Sequence, residues 1–313
     1  MTGPDPGAVR LQPLTRAKVA ALGDAGAQWQ ADLTRVLGDL AERWELTLGR
    51  ALPGGSASYV CTARTAAGEE RVLKVVVPDP DLVDEGRVLG AADGRGYAVL
   101  HDHAREHRAL LLERLGPSLE LARRPVEEVL DVLVDILHEA WRVPPEVGVP
   151  VPDRAHDLLA AMERRQLELG GPAAPAVVRE ARACADRLRA GAGGADDVCV
   201  HGDPHPGNVL RVLVDRPGAP AGHVLVDPDG LRCDPAYDVG IALRDLTGAL
   251  QGADARELLT TWTRRAAARA GLKPDRVRDW AYLERVSTGV YLASLGADRL
   301  AGRFLDSAAA LLR

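Results

Sequence analysis

Residues 16–43 set apolar side chains, among them Trp29, Leu33, Val36, Leu37 and Leu40, at the three- and four-residue intervals of one helical face. The pattern predicts one amphipathic helix or a pair of them. From Trp44 the period shortens. WELTLGRAL, SYVCTARTA and RVLKVVV alternate in the manner of strands, and PGGSA and AGEE separate them as tight turns. YAVLHDHA and HRALLLERL, on either side of the short polar REH, predict two further strands, and DLVDEGRVLGAA before them predicts a short helix. Beyond LGPSL, near residue 117, helical spacing returns in VEEVLDVLVDILHEAW, DRAHDLLAAMERRQLEL and PAVVREARACADRLRAG. VPPEVGVPVP at 143–152 is a proline-rich connector, and GAGGADD at 191–197 breaks the pattern before two short strands, one around VCVHGDPHPGNVL and one around HVLVD at 223–227. ARELLTTWTRRAAARAG, VRDWAYLERVSTGVYLASL and RFLDSAAALLR are helical again, and there is no internal repeat. The expectation is an α+β chain in three parts. Residues 1–43 form an N-terminal helical segment, 44–117 a β-rich lobe with a five-stranded antiparallel sheet and one inserted helix, and 118–313 a mostly helical lobe.

Composition narrows the class. At 313 residues, 46% hydrophobic and 27% charged, the chain is that of a globular protein large enough for two lobes, with no apolar run long enough to span a bilayer. The first residues lack the apolar stretch of a secretory signal, and Asp5 argues against a transit peptide, so a cytoplasmic location is expected. Cys61, Cys184, Cys199 and Cys233 are far apart with no C-x-x-C pair, which predicts reduced, buried thiols. A net charge of -6 offers no electrostatic footprint for nucleic acid and is compatible with a cationic ligand.

The chemistry concentrates in HGDPHPGN, where Asp203 stands five residues before Asn208, and in VLVDPDG, where Asp227 follows nineteen residues later. Taken alone, the first block reads as a turn, a metal site or a catalytic loop. Oxygen-bearing side chains at neighbouring strand ends can hold Mg2+, and a further carboxylate beside them can accept a proton from a hydroxyl, which is the set phosphoryl transfer needs. Upstream, Lys74 sits in a β-branched run, where a lysine has little to do unless it meets an anion. PGGSASY supplies Gly54 and Gly55 for close backbone approach to a phosphate, and Ser56 and Ser58 as hydroxyl donors. Lysine, glycine-rich turn, aspartate, asparagine and second aspartate occur in the order of a protein-kinase-like fold.

Other residues have plainer readings. His201 braces its loop, and His205 contacts substrate or fills the loop. His101, His103 and His107 belong to a solvated hairpin rather than a metal site. Asp234 and Asp238 cap the following helix or brace the metal loop. Trp262, Trp280, Tyr282 and Tyr291 are core, and Glu284 and Asp298 could pair with a cationic substrate but read first as surface carboxylates of helices.

RWEL (43–46), GGSAS, VLKVV around Lys74, LLLERL (110–115), HGDPHPGNVL (201–210) and VDPDGLRCDPAYDVG (226–240) together resemble the aminoglycoside phosphotransferases, in the branch of streptomycin 6-kinases and hydroxyurea-resistance kinases. The resemblance runs from about residue 25 onward. It departs in that the glycine-rich turn has no G-x-G-x-x-G, Pro204 follows Asp203 where leucine is common, and Asp81 and Asp84 stand near Glu85. It implies a bilobal protein-kinase-like fold with ATP and Mg2+ as cofactors. Asp203 would be the catalytic base, Asn208 and Asp227 the Mg2+ ligands, and Lys74 the group on the α- and β-phosphates. Glu85 would be the partner of Lys74, and Glu113 to Leu115 the adenine-facing hinge. The implied reaction is phosphorylation of a hydroxyl on a cationic small molecule, foremost a streptomycin-like aminoglycoside, by a monomer, conferring antibiotic resistance. A metabolic kinase for a sugar, an amino alcohol or another antibiotic would use the same residues, and a non-catalytic nucleotide-binding protein is the reading from another class.

Overall fold

The structure, a computed structural model, describes residues 9–53, 55, 57–80, 82–190 and 196–313. The chain divides into two units, one built from the described residues of Met1–Gly94, Ala98–Gly116 and Val212–Val214, the other from Arg95–Tyr97, Pro117–Arg211 and Asp215–Arg313.

In the first unit the amphipathic N-terminal stretch forms a pair of helices, α1 (Pro13–Ala21) and α2 (Gly23–Arg43). The chain turns between them at Gly23, whose φ of +56° suits glycine. Five strands follow, β1 (Leu46–Ala51), β2 (Ser58–Thr65), β3 (Glu70–Val76), β4 (Leu100–Ala104) and β5 (Ala109–Glu113), with α3 (Glu85–Ala92) inserted between β3 and β4. They pair antiparallel in the order β1-β2-β3-β5-β4. Strand β3 is central and buried at Val72, Leu73, Lys74 and Val75 in succession, so both its faces are covered. Alternation sends Leu73 and Val75 into a cluster with Leu33, Leu37 and Leu40 of α2, while Lys74 lies on the opposite face. Each of those three leucines, at most 1% exposed, contributes about 1.5–3 kcal/mol through burial.

In the second unit, described elements are α4 (Val126–Ala140), β6 (Val149–Pro150), α5 (Arg154–Glu168), α6 (Pro175–Ala190), β7 (Val198–Val200), β8 (Val209–Arg211), β9 (His223–Leu225), β10 (Leu231–Cys233), α7 (Ala236–Arg244), α8 (Ala255–Ala270), α9 (Pro274–Ser294) and α10 (Asp298–Ala310). Strand β10 runs parallel to β6 and antiparallel to β7, and β8 and β9 form a hairpin. These strands span two or three residues each, too few for alternation to show, which is why the sequence predicts only two of them. Helix α9 is buried around most of its circumference, at Val277, Trp280, Ala281, Leu283, Val286 and Val290 but also at Asp279, Glu284 and Arg285. Among the described residues no helix is long and apolar enough to cross a membrane.

Helices α7 and α9 touch backbone to backbone at Gly240, where an added Cβ would lie 2.6 Å from Trp280 Cβ and 2.9 Å from the Ala281 nitrogen. Gly240→Ala is expected to lower stability by about 1–3 kcal/mol, the usual overpacking penalty, and thermal unfolding measures it. None of the four cysteines is in a disulfide, and all are buried. Burial pushes the Cys61 and Cys233 thiols up to about 12 and raises Cys184 as well. The thiolate is the nucleophile, so a thiol reagent at neutral pH is expected to label none of the four in the native protein over a time that labels all of them after denaturation, as counted by mass spectrometry.

Candidate active site

In the first unit Lys74 and Glu85 form an ion pair, Nζ to Oε1 at 2.5 Å, with side chains only 8% and 10% exposed. Helix-capping chemistry separates the carboxylates around α3. Asp84 is the N-cap, accepting from the Gly86 N–H at 3.1 Å, so the next residue, Glu85, enters the first turn and reaches Lys74. Asp81 lies outside the described residues. His103 departs from the solvated hairpin expected of it, for its ring packs on α3 where a Cβ on Gly86 would come within 2.5 Å, and its Nε2 is 3.3 Å from Asp84 Oδ1.

Of the glycine-rich turn, Gly54 and Ser56 lie outside the described residues. Gly55 has φ +81°, and its carbonyl accepts from Thr15 Oγ1 of α1, as does that of Ser58, both at 3.4 Å. Ser58 is buried. At the end of β5, the Glu113 carboxylate accepts from the Val99 N–H at 2.8 Å while the Glu113 N–H donates to the Val99 carbonyl, and Leu115 beyond it is buried.

In the second unit HGDPHPGN leaves β7 as a braced loop. Asp238, fully buried on α7, accepts from the His201 N–H at 2.8 Å, the Gly202 N–H at 2.9 Å and Trp141 Nε1 at 2.9 Å. Gly202 takes φ +95° with the Asp229 side chain where its own Cβ would be, so this bend requires glycine. His201 is stacked on Tyr97 at 5.9 Å, and its Nδ1 accepts from the Asp203 N–H at 3.1 Å. Its Nε2 therefore carries the proton given to the Val226 carbonyl at 2.8 Å, and burial lowers its pKa, keeping it neutral. Asn208 Nδ2 donates to the Asp203 carbonyl at 3.1 Å, and the Asn208 carbonyl accepts from the Val226 N–H at 3.0 Å, tying the loop to the segment that carries Asp227. Asp227 is exposed and has φ +60°, the left-handed region.

The Asp203 carboxylate is 40% exposed and receives Arg244 Nη2 on Oδ1 at 2.8 Å, with His205 Nε2 at 3.7 Å from Oδ2. Burial pulls its pKa upward, but the charges of Arg244 and His205 outweigh that and hold it below its ordinary value. Asp203 is therefore an anion throughout the neutral range. Asp229 nearby is pushed up to about 7, by burial first and then by the negative charge of Asp203.

Among the described residues no group of three or more His, Cys, Asp or Glu side chains could hold a metal by itself. With its nitrogen engaged, Asn208 has its side-chain oxygen left as a ligand. An amide oxygen and one carboxylate, on segments joined by the Val226–Asn208 backbone bond, are hard oxygen donors of the kind Mg2+ takes, its shell being completed by water and substrate phosphates.

Several participants escape the sequence reading. Arg244 ends α7 with its side chain only 12% exposed, and a lone arginine at a helix end carries no sequence signal. Glu284, read as a surface carboxylate, is 4% exposed and accepts from Tyr237 Oη at 2.7 Å. Asp234 lies just before the α7 N-cap, Pro235, and accepts from the Ala236 N–H at 2.9 Å as well as from Arg276 and Trp280 Nε1. Tyr291, expected in the core, is 46% exposed under Arg165.

Residues 43–296 match the family model described as aminoglycoside/hydroxyurea antibiotic resistance kinase. The chain is 30% identical to streptomycin 6-kinase of Streptomyces glaucescens, the match covering 74% of this chain and 73% of that one. It is 28% identical to hydroxyurea phosphotransferase of Kitasatospora aureofaciens, covering 82% and 72%. Among solved structures it resembles amicoumacin kinase in complex with AMP-PNP, Ca2+ and Ami, with a TM-score of 0.57, 13% identity and coverage of 93% and 95%. At that identity the likeness concerns the fold, which is α+β and protein-kinase-like.

Proposed function

The chain belongs to the aminoglycoside/hydroxyurea antibiotic resistance kinase family and is a phosphotransferase acting on a hydroxyl, and on that premise we propose that it moves the γ-phosphoryl group of ATP to a hydroxyl of a streptomycin-like aminoglycoside. The product would no longer act as an antibiotic. The observation that carries this reading is the loop of Asp203, an anionic, 40% exposed carboxylate with Oδ1 held by Arg244 and Oδ2 3.7 Å from His205 Nε2, braced by Asp238 and joined to the Asp227 segment through Asn208. The name of the 30% identical relative supports the acceptor class.

In this reading Asp203 orients the acceptor hydroxyl and receives its proton. Lys74, held by Glu85, takes the α- and β-phosphates, with backbone at Gly54 and Gly55 and hydroxyls of Ser56 and Ser58 around them. Glu113 to Leu115 face the adenine. Asn208 and Asp227 would hold Mg2+, which supplies positive charge against that building on the γ-phosphate. The net charge of -6 suits a cationic acceptor. The enzyme would work as a cytoplasmic monomer without nucleic acid.

Lys74→Met removes a charge-assisted contact of about 1.5–3 kcal/mol, so kcat/KM for ATP is expected to fall about 10- to 150-fold in steady-state kinetics. The acceptor itself is tested by incubating the protein with ATP and a panel holding streptomycin, hydroxyurea, choline and simple sugars, with the products weighed by mass spectrometry. A gain of one phosphoryl group on streptomycin is the expected result. Phosphorylation of another panel member with streptomycin untouched would replace the acceptor class while keeping the catalytic assignments.

A further inference from the structure

Arg244, the last residue of α7, has a guanidinium set among three carboxylates. Nε donates to Asp245 Oδ1 at 2.9 Å, Nη1 lies 3.6 Å from Glu284 Oε2, and Nη2 donates to Asp203 Oδ1 at 2.8 Å. Its side chain is 12% exposed and that of Glu284 6%, whereas Asp203 keeps 40%. Glu284 is itself immobilised, since Oε1 accepts from Tyr237 Oη, and that oxygen accepts from Arg154 Nη2 at 2.8 Å. Asp245 is 25% exposed, so Asp203 is the most exposed of the three carboxylates around Arg244.

A buried arginine needs an anion, but Asp245 and Glu284 already provide two. The third contact is not required to neutralise Arg244, and its effect falls on Asp203. An aspartate carboxylate turns broadly about its last bond, and its two oxygens are chemically alike. With Oδ1 tied to a rigid guanidinium fork, that rotation is arrested. We infer that Arg244 is a positioning residue for phosphoryl transfer, fixing Asp203 by Oδ1 so that Oδ2 alone faces the acceptor hydroxyl.

The inference rests on the function proposed above. The acceptor oxygen bonds to the γ-phosphorus as the bond from that phosphorus to the β,γ-bridging oxygen breaks. The hydroxyl proton passes to Asp203 Oδ2 and then to water. Arg244 touches neither the phosphoryl group nor the moving proton. It acts only through the direction in which Asp203 points, and a misdirected group of this kind loses about 100-fold in rate.

The test uses the full-length protein as wild type, Arg244→Met, Arg244→Lys, Asp203→Asn and the Arg244→Met/Asp203→Asn pair, with ATP and streptomycin. Arg244→Met is expected to lower kcat about 100-fold with both KM values within about threefold of wild type. In the Asp203→Asn background the same change is expected to do nothing further, because the group it positions is gone. Arg244→Lys, which keeps the charge and loses the fork, is expected to recover only part of the rate. A folded Arg244→Met with unchanged kcat would overturn the inference, as would an equal loss in both backgrounds, the mark of a merely structural role. If Arg244→Met does not fold, Arg244→Lys decides: a loss of about tenfold supports the inference and wild-type kcat overturns it. If wild type phosphorylates another panel member instead of streptomycin, the same comparison is made with that acceptor. If it phosphorylates none, the acceptor reading has failed, and the ratio of ATP hydrolysis rates, with water as acceptor, decides on Arg244 by the same criteria.

Discussion

Asp203→Asn is expected to reduce kcat by about 10²–10⁴-fold, the range in which a positioned general base contributes, while the protein stays folded and binds ATP about as wild type does. The substitution preserves the shape of the side chain but abolishes its capacity to take a proton. The backbone contacts of the loop, from the Asp203 N–H to His201 and from Asn208 to the Asp203 carbonyl, do not depend on that carboxylate. Arg244 keeps Asp245 and Glu284 as anionic partners. Thermal unfolding within a few degrees of wild type, together with collapsed turnover, is therefore the expected pair of results. Turnover within threefold of wild type would remove Asp203 from the chemistry.

The second large effect belongs to a residue that meets no substrate in the proposed reaction. Asp238→Ala leaves the His201 N–H, the Gly202 N–H and Trp141 Nε1 without their acceptor, in surroundings that give no access to water. Each orphaned donor costs about 1–3 kcal/mol, and losing a buried hydrogen-bonded carboxylate altogether costs about 3–5 kcal/mol. For a unit of this size that is a fall in the unfolding midpoint of about 6–20 °C. Activity should fall too, since the two amides start the loop that carries Asp203. Asp238→Asn keeps one acceptor oxygen and turns an NH2 group toward a donor, so it is expected to recover little of the loss. Calorimetry of the two variants beside wild type checks the ordering, and an Asp238→Ala protein as stable as wild type would refute the bracing role.

What could be read from the sequence follows the range over which each signal acts. The β3 run shows Lys74 as a lone cation among β-branched residues, and HGDPHPGN shows its chemistry within eight consecutive positions. The strands of the five-stranded sheet are five to eight residues long, enough for alternation to register. The partner of Lys74 was harder, because three acids stand close together and only the N-cap at Asp84 phases the helix so that Glu85 reaches inward. Arg244 and Glu284 were illegible for a different reason. Apart from Asp245 beside Arg244, each meets its partners across forty or more positions, and a charged residue on a helix reads as solvated until a second helix is packed over it. The same applies to His103, which looked like part of a wet hairpin and is covered by α3.

The left-handed backbone at Asp227 bears on how this protein can evolve. Aspartate, asparagine and glycine occupy that conformation readily, whereas other side chains lose about 1–2 kcal/mol there. The two replacements the backbone tolerates both discard the negative charge that the proposed metal contact requires. Glutamate, which would preserve the charge, meets the conformational penalty and sets its carboxylate one carbon farther out. No neighbouring residue satisfies both demands, so gradual drift has no intermediate to pass through at this position. Adaptation to a new antibiotic is left to parts of the chain that bear neither constraint.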